Sequence, residues 1–108
     1  MKREKTPVIV TTTTPSPQVA EAIARALVER RLAACVRMID PIRSIYRWEG
    51  AVQDEAETLL IIKTTADRVQ GIGSVLRELH PYQVPELLAV PVSDGSSAYL
   101  GWVVDSVD

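Results

Sequence analysis

The chain is 108 residues long, 46% hydrophobic and 24% charged, the proportions of one globular domain with a single ordinary core. Its 12 basic and 14 acidic residues leave a net charge of -2, which argues against the concentrated basic face of a nucleic-acid groove, and it has no phenylalanine for a base-stacking sheet. One cysteine excludes an internal disulfide and a Cys-x-x-Cys metal or redox site, and no apolar run approaches the ~20 residues of a membrane span.

The charged start, residues 1–5, leads straight into a strand-like run, with no apolar segment and cleavage site of a secretory signal. The expected location is the cytoplasm, and residues 1–108 read as one domain. Val8-Ile9-Val10 followed by four threonines is β-branched throughout and predicts a buried strand over 8–14. Pro15-Ser16-Pro17 then supplies a helix start, with Ser16 as N-cap and Pro17 in the first turn. Val19, Ala20, Ile23, Ala24, Leu27 and Val28 form the apolar stripe of that helix, and Glu21, Arg25, Glu29 and Arg30 its solvent face.

From residue 32 to 48 the period changes to two. Val36 and Met38 share a face, Asp40-Pro41 interrupts, and Ile42, Ser44, Tyr46 and Trp48 then alternate with Arg43, Ile45 and Arg47. A proline inside a strand predicts a bend or bulge near Pro41. Glu49-Gly50 makes a tight turn, and a third strand runs over 52–65 through Leu59-Leu60-Ile61-Ile62. A second helix starts near Asp67, turns Val69, Ile72, Leu76 and Leu79 inward, tolerates Gly71 and Gly73, and ends at His80-Pro81. Residues 84–92 read as a fourth strand bracketed by Pro85 and Pro91, hence at a sheet edge or bulged. After a loop at Asp94-Gly95-Ser96, a short third helix carries Tyr99, Leu100, Trp102 and Val103.

The order βαββαβα belongs to an α/β (α+β) chain. With right-handed crossovers it gives a four-stranded antiparallel sheet with two helices on one face, the ferredoxin-like βαββαβ fold, plus an extra C-terminal helix. Strands two and three are each about fourteen residues, against a usual five or six. So long a hairpin either folds back on its own domain or leaves an apolar far end that needs another subunit.

Four segments carry a family resemblance: Leu32-Ala33-Ala34-Cys35-Val36, Tyr46-Arg47-Trp48-Glu49-Gly50, Glu57 spaced five residues before Lys63-Thr64, and His80-Pro81-Tyr82-Gln83-Val84-Pro85-Glu86. In this order and spacing, from about Val8 to Trp102, they resemble the CutA (divalent-cation tolerance) family. The resemblance implies a homotrimer whose long β2–β3 hairpins extend the neighbours' sheets, similar in architecture to PII signalling proteins, and a non-catalytic role in the response to divalent metal ions.

The candidate site residues are Tyr46, Trp48, Glu57, Lys63, His80, Tyr82 and Glu86, expected to line an intersubunit cleft. Glu57 and Lys63 lie on one strand face ~20 Å apart and so need separate partners. These groups are either interface hydrogen-bonding residues or the lining of a small-anion or metabolite pocket, which would make the chain a PII-like ligand sensor. Cys35 is either a small buried core residue or a reactive thiol. His80, the one histidine, either caps the second helix or ligates a metal. Family members proposed to bind copper carry a cysteine where this chain has Thr12 and a histidine where it has Leu79, so no cofactor is expected and Cu²⁺ or another divalent cation should bind weakly. One His and one Cys assemble no hydrolase constellation. An acylphosphatase would need an asparagine, which the chain lacks, and a copper chaperone a Met-x-Cys-x-x-Cys loop, so no enzyme is expected.

Overall fold

The structure is a computed structural model describing residues 5–108; most of the charged start lies outside the described residues. The elements are β1 (Pro7–Thr14), α1 (Pro17–Glu29), β2 (Cys35–Trp48), β3 (Ala51–Thr65), a 3-10 turn (Ala66–Arg68), α2 (Val69–Leu79), β4 (Leu88–Pro91) and α3 (Ser97–Ser106). The four strands form one sheet in the order β2-β3-β1-β4, with every neighbouring pair antiparallel. This is the expected ferredoxin-like arrangement, with β2 and β4 at the edges.

Strand alternation sorts β1 and β3 into two faces. Val8, Val10, Leu60 and Ile62 point inward, where Ala20, Ile23 and Leu27 of α1 and Ile72, Val75 and Leu76 of α2 cover them. Ser16 caps α1 by accepting from the Val19 N–H at 3.3 Å, as its position before Pro17 predicts. Val28, assigned to the apolar stripe, is instead exposed, since it lies about 100° around the helix from buried Leu27. Helix α1 ends without glycine: Arg31 takes a positive φ of 58°, and the Leu32 N–H bonds back to the Leu27 carbonyl. That turn delays β2 until Cys35, three residues later than the alternation suggested. Cys35 then falls on the outer sheet face opposite Lys63 and is half-buried, not a core residue; buried Ala33 takes that place.

Asp40-Pro41 forms the expected irregularity. Ile39 pairs with Leu59 and Ile42 with Glu57, so two residues of β2 oppose the single residue Thr58. The Thr58 hydroxyl donates to Asp40 Oδ1. The extra residue shifts the parity, so that Ile42, Ser44, Tyr46 and Trp48 share a face with Glu57 and Glu55. The hairpin closes through Glu49 (φ 50°) and Gly50 (φ 79°), two successive left-handed residues that suit a tight two-residue turn.

Two further expectations are corrected. Residues 84–87 are unpaired, and β4 is only the four residues from Leu88 to Pro91. Pro91 sits on an edge strand, where its missing N–H costs no ladder bond. Helix α3 buries Val103 alone of its residues, leaving Tyr99 and Trp102 exposed and in mutual contact, with centroids 5.5 Å apart.

Candidate functional site

The outer face of the hairpin and the segment following α2 enclose a cleft of about 680 Å³. The segment is stiff before it packs, because Pro81 and Pro85 fix their own φ and restrict the residues before them. His80 anchors it. Its backbone N–H closes α2 onto the Leu76 carbonyl, and its ring is buried. Nδ1 accepts from the Tyr82 N–H at 3.1 Å, which leaves the proton on Nε2 to donate to the Thr13 carbonyl at 2.7 Å. The expected cap by the His80 side chain is thus corrected: only its backbone N–H closes α2, and the ring ties the loop to β1.

With His80 fixed, the Tyr82 ring lies 4.7 Å from the imidazole, and its hydroxyl donates to Glu57 Oε2 at 2.8 Å. Burial first, and then the hydrogen bond to Glu57, push the Tyr82 phenol well above its ordinary range. On the opposite wall the Tyr46 hydroxyl donates to Glu55 Oε1 at 2.7 Å, and that hydrogen bond is the main reason its phenol is also raised. Glu86 closes the floor by accepting from the Thr11 hydroxyl at 2.6 Å. It precedes β4 rather than lying inside it.

Tyr46, Trp48, Glu57, Tyr82 and Glu86 therefore line one cleft, and His80 supports it from behind. Lys63 does not join them. It lies six residues along β3 from Glu57, roughly 20 Å away, beside a hollow of about 160 Å³ between the sheet and α3. Glu55 belongs to the cleft and was not singled out in the sequence. Its position two residues before Glu57, and hence on the same strand face, was the available signal.

The residues do not fit a metal ion within one chain. Both ring nitrogens of His80 are engaged, and Thr12 points into the core with 0% exposure, away from the cleft. Among the described residues no three His, Cys, Asp or Glu side chains converge as a ligand set.

A family model described as CutA1 divalent ion tolerance protein matches residues 8–106. The chain is similar to a protein named Divalent-cation tolerance protein CutA from Thermus thermophilus, with 46% identity over 95 residues, 88% of this chain and 92% of that one. It is 38% identical over 99 residues to Protein CutA, chloroplastic, of Arabidopsis thaliana, covering 92% of this chain and 54% of the relative. It spans about half the length of several such curated relatives. The solved structure of a divalent cation tolerance protein (Cut A1) from Thermus thermophilus superposes with a TM-score of 0.90 at 44% identity, over 93% of this chain and 97% of that chain.

Proposed function

The chain belongs to the CutA1 divalent ion tolerance family, and on that premise we propose that it is a non-catalytic homotrimer serving tolerance of divalent metal ions. The observation that supports the assembly is the hairpin. Ile45 and Val52 on one face are 65% and 64% exposed, and Tyr46 and Trp48 on the other are also exposed. An exposed apolar ribbon of this length on an unpaired edge invites pairing with a second copy. In the trimer the cleft beneath Trp48 would lie at a junction between subunits.

The non-catalytic reading rests on His80. The imidazole that would serve as a general base is committed through both nitrogens. A small-anion pocket of the PII kind is not favoured, because the cleft wall presents Glu55, Glu57 and Glu86 while Lys63 stands elsewhere. No described helix is long and apolar enough to cross a membrane. The cytoplasmic location remains a reading of the sequence, and one relative carries a name that places it in the chloroplast instead.

Cells lacking their own family member and challenged with Cu²⁺ test the function. The wild-type chain should restore growth, and Trp48→Asp, expected to break assembly, should not. Equal growth with and without the wild-type chain overturns the tolerance role.

A further inference from the structure

Helix α3 has 10 residues, too few to hold its shape in water without docking. Its apolar docking is slight. Val103 within the helix and Val107 at its end are buried, while Tyr99 and Trp102 stay exposed. What holds it is gathered at its C-terminal end, where basic residues from three distant points of the chain converge. Arg31, in the turn after α1, donates through Nη1 to the Ser106 carbonyl at 3.5 Å. Arg68, in the turn before α2, donates through Nη2 to the Val107 carbonyl. Lys5, ahead of β1, donates to Asp108 Oδ1 at 2.8 Å and stands 3.8 Å from Asp67. These cations sit where the last carbonyls of a helix carry partial negative charge, and no glycine follows to cap them. Asp108 feels all three: the hydrogen bond from Lys5 first, and then the charges of Lys5, Arg68 and Arg31, hold its carboxyl below the ordinary range.

The other end of α3 has no such anchor. Among the described residues, the side chains of 94–96 bond only within their own turn, Asp94 accepting from the Gly95 N–H and Ser96 from the Tyr99 N–H. The closed latch also carries a cost of its own. Arg68 Nε is buried with no hydrogen-bond partner among the described residues, and the Asp67 carboxylate stands 3.8 Å from it, too far for a good bond. Water would satisfy that N–H once α3 lifts, so opening relieves a desolvation penalty that closure imposes.

We propose that α3 is a strap, hinged at residues 94–96 and latched by Lys5, Arg31 and Arg68, that opens as a unit while the sheet and the other helices stay folded. Ionic strength is its control. The Lys5 and Asp108 side chains are 40% and 70% exposed, so salt screens their attraction, whereas it does not weaken the burial of two valines. Opening uncovers the start of β1 and the end of β3, where Pro7, Ile9 and Lys63 line the hollow of about 160 Å³ beside the helix. Every latch contact lies within one chain, so the strap depends on neither the trimer nor the tolerance role.

Hydrogen exchange of the full chain in its native assembly, read over α3 against α1 and β1, tests the strap. In about 1 M NaCl α3 should exchange about threefold faster than in about 0.05 M, with α1 and β1 unaltered. Arg68→Ala should speed α3 exchange about tenfold, and Arg68→Lys, which keeps the charge and removes the orphaned Nε, should recover most of the protection. If Arg68→Ala does not fold, the exposed change Lys5→Ala carries the variant arm, and the response to salt should shrink in it. The strap is overturned if α3 exchange ignores both salt and the latch variants, which would assign its hold to the two valines or to a neighbouring copy. Equal acceleration in α3, α1 and β1 also overturns it, since α3 would then open only with the whole fold.

Discussion

The Tyr82 hydroxyl reaches Glu57 Oε2 across 2.8 Å and joins the loop after α2 to the middle of β3, 25 residues away in sequence. Glu57 is nearly buried, so the bond carries more weight than an exposed one would. Tyr82→Phe keeps the ring against His80 and removes only the donor. It should lower unfolding free energy by about 1–3 kcal/mol, seen as a lower urea midpoint at unchanged slope. An unchanged midpoint would mean that water replaces the hydroxyl without loss.

The same bond sets an alkaline limit. The Tyr82 pKa is raised in the folded state above its ordinary 10.0, so the neutral phenol is the form the fold favours. Its contribution is fully present below pH 10 and is lost as pH rises from there through the folded-state value. Tyrosinate absorbance of Tyr99→Phe, which leaves Tyr46 and Tyr82, should therefore titrate above the ordinary phenol range for both. Thermal stability above pH 10 should fall less steeply in Tyr82→Phe than in the wild type. Equal slopes would remove Tyr82 as the group responsible.

Thr12 is a different case. Its side chain is fully buried on the core face of β1, and its Oγ1 has no partner among the described residues. An orphaned buried hydroxyl is a cost that valine, of nearly the same shape, does not carry. Thr12→Val should leave stability unchanged or raise it by up to about 2 kcal/mol, measured as the thermal midpoint. A clear loss would reveal a partner for the hydroxyl.

The fold was legible because periodicity and punctuation agreed along the chain. Ser16-Pro17 marked one helix start, Glu49-Gly50 the hairpin turn, and His80-Pro81 the end of α2. What failed depended on backbone states that composition does not mark. Arg31 adopts the left-handed conformation usually given to glycine, which displaced the start of β2 and turned Cys35 outward. Residues 84–87 have strand-like composition, yet Pro85 removes a donor and Glu86 is drawn to Thr11 ahead of the ladder. In the site, the aromatic and acidic residue types were readable and were expected at one cleft between subunits, but that Tyr46, Trp48, Glu57, Tyr82 and Glu86 meet within a single chain was not. Pro41 announced a bend, while the change of parity that puts Tyr46 beside Glu55 required the register with β3. Lys63 shares the face of Glu57, and strand spacing already set the two roughly 20 Å apart; the placement of α3 shows which hollow Lys63 borders.

Assembly is the remaining test, and the hairpin supplies it. Trp48 sits one residue from the turn on the cleft face, with 42% of its surface exposed. Single exposed apolar residues are ordinary, but here Tyr46, Trp48, Ile45 and Val52 cluster at the end of a ribbon the helices do not cover. In a trimer a large aromatic at that position would be among the residues on which association depends most. Light scattering at micromolar concentration should give a mass near three times 11.9 kDa. Trp48→Asp should shift that mass downward, because it puts an unpaired charge into an apolar contact. Glu29→Ala, an exposed change on α1, should leave it unaltered. A wild-type chain that stays monomeric and fully folded at that concentration would refute the trimer.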